Sequence, residues 1–329
     1  MPVPRRYLLV WMGKGFSYCC RLAVESITVA DPGASIEVHL LGDRPDTIHF
    51  DLVDAMPEVS VVPIVLDELF AEHPHLRAVY DGIPADAHSA RSNLLRYLLL
   101  WQRGGVYVDF DVILRKPLAD LAKGRDFVGL ERVWMHDQAR VEGRWSLSML
   151  PGTIGFGLTW FARRVDAKWF GGALRLGDRL RVLDPLWSTF QPNNAVIGAA
   201  ARSPFIGHLL EGATAVDPTV QYALGPNLVA SVAREHPKSV HVLREVELYP
   251  VPPADTFRYF EDRHLRLRDE TALIHYVNSN HRRLLAGIEP GDDRLAERSE
   301  LFWRLAREVA AHHRTHRRDT SVSSPGMDS

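Results

Sequence analysis

The sequence predicts an α/β protein with a mixed, mostly parallel central sheet. Strand-like and helix-like segments alternate through the first third of the chain, the pattern that lays helices over a parallel sheet. A helix-like run at 88–102 is broken by Gly104-Gly105 just before a short apolar strand at 106–108. That strand ends on two carboxylates, Asp109 and Asp111. Ligands of open sheets gather beyond the carboxyl ends of the strands, so this end is where a site is expected.

The elements follow in order. YLLVWMG reads as a buried first strand, and FSYCCRLAVESITVADPG as a helix stopped by Asp31-Pro32-Gly33. SIEVHLLGD reads as a second strand and EVSVVPIV as a third. Residues 131–198 look less regular, with several tryptophans, the glycine-rich PGTIGFG and the Asn pair of QPNNAVIG; long irregular segments of this kind are expected to be functional loops or lids. LVASVAREH then reads as a helix, SVHVLREVELYPVPP as strand-like, and TALIHYVNSNHRR follows. Leu295, Leu301, Phe302, Leu305 and Val309 recur at helical spacing, and RRDTSVSSPGMDS is polar enough to be disordered. With no repeat and no linker, the expected organisation is a single domain over 1–291, a C-terminal amphipathic helix over 292–316 and a disordered tail over 317–329. The run from His312 to His316 is read as a solvated helix end rather than a metal tract.

The 39 basic and 41 acidic residues nearly cancel, leaving no net field to recruit nucleic acid. The two cysteines, Cys19 and Cys20, are adjacent and build no disulfide framework, a pattern that suits a reducing compartment. No stretch is long enough to span a bilayer. The apolar run 7–12 is too short for a signal peptide. A soluble, cytoplasmic protein is expected, and the C-terminal amphipathic helix has two readings: packing on the domain, which is favoured, and peripheral contact with a membrane.

Alternate residues of a strand share a face, so Asp109 and Asp111 point together while Phe110 points away. Two carboxylates so placed repel, and a hard divalent cation such as Mg²⁺ or Mn²⁺ relieves the conflict. The plainer alternative is a pair of surface aspartates capping turns. The preceding helix argues against it. Ser89, Asn93 and Arg96 recur at spacings of four and three and form a polar line on a helix otherwise carrying Leu94, Leu95, Leu98 and Leu99. Gly104-Gly105 is read chiefly as a helix cap, with close approach of another segment as the second reason for glycine.

SARSNLLRYLLLWQRGGVYVDFDVIL resembles the sugar-binding region of glycosyltransferase family 32, the group containing yeast-type initiating mannosyltransferases. Related arrangements occur in α-1,4-glycosyltransferases and clostridial glucosylating toxins. The match to A-x-x-S-D-x-x-R-Y-x-x-L-x-x-x-G-G-x-Y-x-D-x-D runs through Ser92, Arg96, Tyr97, Gly104, Gly105, Tyr107, Asp109 and Asp111, with Asn93 where the family usually has aspartate. Weaker echoes are YLLVWMG with Trp11, QPNNAVIGAARSPF, LGPNLV and HYVNSNHRR, where Ser279 is kept and Asn280 replaces a tryptophan.

The resemblance implies a GT-A-like nucleotide-sugar-binding fold and a metal-dependent, retaining transfer of a sugar from a nucleotide diphosphate donor, UDP- or GDP-linked, to an acceptor hydroxyl. It implies Mn²⁺ (or Mg²⁺) held by Asp109, Asp111 and His275, with Arg96 beside the reacting groups. It implies donor contacts from Trp11, Ser92, Asn93, Arg96, Tyr107, Asn193, Asn194 and Ser279. Eukaryotic relatives carry a Golgi anchor; none is expected here. Two other readings share the D-x-D: a haloacid-dehalogenase-type phosphatase, which needs a later strand ending in paired acids, and a catalytically silent sugar-nucleotide-binding protein.

Overall fold

The computed structural model describes residues 2–135, 139, 146–289, 292 and 296–322. Nine strands are described: β1 (Arg6–Met12), β2 (Ser35–Leu41), β3 (Val59–Pro63), β4 (Gly105–Val108), β5 (Val112–Leu114), β6 (Phe127–Trp134), β7 (Ser188–Ala199), β8 (His241–Leu243) and β9 (Leu273–His275). Seven form one sheet in the order β3-β2-β1-β4-β7-β6-β8, and β5 pairs with β9 apart from it. β7 runs antiparallel to β4 and β6, while the other pairings of the large sheet are parallel. This is the mixed, mostly parallel sheet expected of a GT-A-like chain.

The helices that position the site are α1 (Tyr18–Ala30), α2 (His88–Arg103), α3 (Leu150–Phe170), α4 (Pro204–Ala213), α5 (Leu228–Glu235), α6 (Asn278–Leu285) and α7 (Leu301–Val322). Alternation along β1 explains the layers. Tyr7 and Leu9 pack with α1 residues such as Ala23 and Ile27 on one face, while Leu8 and Val10 pack with Leu94 and Leu98 of α2 on the other. Both faces are covered, which is why β1 reads as a continuous apolar run.

Two regions differ from expectation. The stretch 131–198 is largely regular, with a 21-residue helix, α3, that contains PGTIGFG, and a 12-residue strand, β7, that contains QPNNAVIG. Gly152, Gly155 and Gly157 lower the helix propensity of α3, but a Pro in its first turn helps to start it. The register of β6 and β7 shifts between Val128 and Gly129, which blurs the strand pattern. The C-terminal helix begins at Leu301 and runs to Val322, rather than over 292–316. Its Leu301, Phe302, Trp303 and Val309 pack with Tyr18 and Leu22 of α1. His313 is not a solvated helix end, because its Nε2 lies 2.8 Å from Thr28 Oγ1. The apolar face of this helix thus packs on the domain, the favoured of its two readings, rather than facing a membrane. The tail beyond residue 322 lies outside the described residues.

Both reasons for Gly104-Gly105 hold, and close approach weighs at least as much as capping. Gly104 caps α2 at φ +61°, and a Cβ there would stand 2.5 Å from the Ala201 amide nitrogen. Gly105 has φ +127°, and its Cβ would meet the Arg6 carbonyl oxygen at 2.6 Å. Gly105→Ala is expected to cost about 2–3 kcal/mol and lower the thermal midpoint by about 3–4 °C. A melt unchanged to within about 1 °C would show that β1 yields.

Candidate active site

Asp109 lies beyond the carboxyl end of β4 and lines a cavity of about 560 Å³; Asp111 is not on its wall, although its partner His275 is. The Asp109 amide donates to the Ala195 carbonyl of β7 at 2.9 Å, which brings Asn193 and Asn194 alongside. In the small sheet Val112 pairs with His275, so the residue after the second aspartate faces the histidine across the ladder.

The aspartates have separate partners. Arg96, only 3% exposed, donates from Nη2 to Asp109 Oδ1 at 3.1 Å, and the Tyr107 hydroxyl donates to the same oxygen at 2.9 Å. The guanidinium lies over the Tyr107 ring at 4.2 Å and also donates to the Asn194 carbonyl. Burial works against the Arg96 charge, but Asp109 together with Tyr107, Tyr97 and Tyr249 outweighs it and keeps the guanidinium protonated. Burial pushes the Asp109 carboxyl up, opposed by Arg96 and aided by the nearby Asp111 charge. Asp111 moves the other way. Burial would raise it, but His275 Nε2, 3.2 Å from Oδ1, and the Asn278 amide, which donates to Oδ2 at 3.0 Å, hold it below the usual carboxylate range. The like-charge conflict is thus divided between Arg96 on one side and His275 with the start of α6 on the other.

Val277 stands between His275 and Asn278 at φ +51°, a strained conformation for a β-branched residue. The turn it makes brings the Tyr276 amide to the Asp111 carbonyl at 3.1 Å while Asn278 reaches the carboxylate. His275 Nδ1 is buried without a hydrogen-bond partner and lies 3.9 Å from Glu131 Oε1. Glu131, buried on β6, accepts from Asn193 Nδ2. Sequence reasoning missed it, although an acid within the apolar run FVGLERVW was the available signal.

The other candidates divide into wall and backing. Asn93, Arg96, Asp109, Asn193, Asn194, His275 and Ser279 line the cavity. Asn194 Nδ2 donates to Asn93 Oδ1 at 2.8 Å, so Asn93 is matched to its surroundings by an amide pair. Gly225 passes so close that a Cβ would stand 2.8 Å from Asn93 Nδ2. Ser92 and Tyr107 do not reach the wall. They are buried behind it, their hydroxyl oxygens 3.2 Å apart, because α2 turns its Ser92 side toward β4. Trp11 is also off this wall; its indole donates to the Gly13 carbonyl at 3.1 Å and packs edge-on against Phe16 and Phe110.

The donor chemistry suits a divalent cation. Asp111 Oδ1 and His275 Nε2 face each other at 3.2 Å, and the Glu131 carboxylate lies 3.9 Å from the other ring nitrogen, beyond hydrogen-bond distance. Among the described residues no group of three His, Cys, Asp or Glu closes around an ion.

Residues 35–128 match the family model described as a glycosyltransferase sugar-binding region containing a DXD motif. This chain carries a DXD-containing glycosyltransferase sugar-binding region. The region runs from β2 to the start of β6 and contains α2, Arg96, Asp109 and Asp111. Lactosylceramide 4-alpha-galactosyltransferase of Rattus norvegicus is 32% identical over 116 residues, 32% of this chain and 31% of that protein. The chain thus spans about a third of the length of that curated relative. Among solved structures, mouse xyloside xylosyltransferase 1 is similar at 16% identity and TM-score 0.44, covering 83% of this chain and 98% of that one. The galactosyltransferase LgtC in complex with donor and acceptor sugar analogues is similar at 14% identity and TM-score 0.42, covering 93% and 95%. Around the sugar-binding region, no helix among the described residues is long and apolar enough to cross a membrane.

Proposed function

We propose that the chain is a metal-dependent, retaining glycosyltransferase that moves a sugar from a nucleotide diphosphate, UDP- or GDP-linked, to an acceptor hydroxyl. The observation that carries this reading is the divided D-x-D, with Asp109 at the cavity and locked to Arg96, and Asp111 facing His275 of the cavity wall. Asp111 and His275 would hold Mn²⁺ or Mg²⁺, with Asp109 beside them. Bound there, the ion would act as a Lewis acid on the departing diphosphate.

The protein's own groups supply the rest. Arg96 fixes the Asp109 carboxylate through one oxygen and leaves the other for the cavity. The Asn93–Asn194 amide pair and Asn193 offer donors and acceptors at one wall for sugar hydroxyls. Ser279 and the start of α6 stand across from them. Glu131 holds Asn193 by a hydrogen bond and places a negative charge 3.9 Å from the His275 ring. Retention fits attack from the face that the diphosphate leaves, with that leaving group accepting the acceptor's proton. The phosphatase reading needs a later strand that ends in paired acids; Asp292 is in no strand, and Asp293 lies outside the described residues.

A thermal-shift screen of UDP- and GDP-sugars with and without Mn²⁺ tests the proposal. At a hundredfold excess over Kd, the matching pair is expected to raise the midpoint by about 4 °C, and neither component alone should do so. Donor binding that persists without metal in Asp109→Ala would overturn it. So would release of phosphate from simple phosphomonoesters.

A further inference from the structure

α3 is amphipathic in the inverted sense. Its inward face carries Arg163 and Asp166, and Arg163 is buried between Asp184 and Asp255, its Nη1 2.8 Å from Asp255. Its outward face carries Leu150, Ile154, Leu158 and Phe161, spaced four, four and three residues apart and 43, 53, 66 and 63% exposed. Trp169, 74% exposed, and Phe170 follow at its end. Most of the large apolar side chains exposed among the described residues lie in this one segment, between 147 and 190. A helix that faces water shows the opposite arrangement, and a contiguous apolar surface of this kind marks an interaction site.

We infer that the outward face of α3 docks on an anionic lipid bilayer. Charge decides between a bilayer and a protein partner. Lys168 is exposed seven residues, or two turns, beyond Phe161 on the same stripe, and its ammonium lies 5.7 Å from the Trp169 ring. Arg175 and Arg179 follow, also exposed. The one exposed acid between 146 and 190 is Asp178, which Arg258 holds at 2.8 Å. Basic side chains beside exposed leucine, phenylalanine and tryptophan fit an anionic membrane surface. A second copy related by a two-fold axis would instead set this basic patch against its own image.

The surface is also continuous with the site. Trp160 of α3 donates to the Ala254 carbonyl at 2.9 Å, and the Phe156 ring lies 4.2 Å from Trp134. Ala254 and Trp134 both line the cavity. A bilayer under α3 would therefore lie next to the cavity wall. The inference concerns docking and does not depend on the transfer reaction.

Vesicle sedimentation of the full chain tests it. The chain is expected to sediment with phosphatidylcholine vesicles containing about 30% phosphatidylglycerol, and less so as salt is raised. The double variant Leu158→Asp/Phe161→Asp should weaken binding by about ten- to a hundredfold. Its thermal midpoint should not change, because both side chains are exposed. Ile48→Asp, at another exposed apolar position, should bind as the parent does. Failure of the chain to sediment, or equal binding by the double variant, would overturn the inference. So would a dimer in sedimentation velocity that the double variant dissociates, with no vesicle binding by the parent.

Discussion

Asp111→Asn is expected to lower turnover by at least about a thousandfold and, because it unpairs the buried His275, to lower the thermal midpoint as well. The amide keeps an oxygen for the Asn278 amide, so the start of α6 stays anchored. What it loses is the charge that faces His275 and that a cation would need. Asp109→Asn unpairs Arg96 instead. It removes the carboxylate that balances Arg96, which is buried and whose other contacts among the described residues, Ser92, Asn194 and Tyr107, carry no charge. Stability should then fall by about 2 kcal/mol as well as activity. Rate assays and thermal melts on the two variants measure what each aspartate gives to turnover and to the fold. More than about a tenth of parental activity in Asp111→Asn would remove Asp111 from the reaction.

The parallel half of the sheet was legible because β1, β2 and β3 are apolar runs bounded by turn residues. The polar line of α2 was legible because Asn93 and Arg96 interrupt a leucine-rich helix at helical spacing. The middle of the chain was not. α3 turns its charges inward and its large apolar side chains outward, so its pattern gives no conventional signal, and three glycines in its first half read as loop. In the site, the D-x-D and His275 were visible as residue types, but their division between Arg96 and the α6 amide was not. That division depends on the β5–β9 pairing and on Val277 at positive φ, a conformation that sequence gives no reason to expect of valine. Glu131 was hidden for a related reason, since its partners come from β7 and β9, far away in the chain.

Arg163→Met is expected to destabilise the protein by about 3–5 kcal/mol, the range seen when one partner of a buried ion pair is removed. For a chain of this length that corresponds to a fall of about 4–7 °C in thermal midpoint. The cost arises from what is left behind: Asp184 and Asp255, both buried, would face each other without the guanidinium between them. Burial already pushes the Asp255 carboxyl up, with Arg163 opposing it. Without Arg163 it should rise further. A carboxyl whose folded-state value is raised favours folding at low pH and loses that contribution as pH rises through the folded value. The deficit of Arg163→Met should therefore be smaller at pH 5 than at pH 7.5. Adding Asp184→Asn and Asp255→Asn removes the unbalanced charges and should recover most of the loss. A deficit independent of pH, or no recovery in the triple variant, would mean that Arg163 holds α3 through packing rather than charge. The distinction matters for the outward face of this helix, because the buried ions are what orient α3 with its apolar side chains toward solvent.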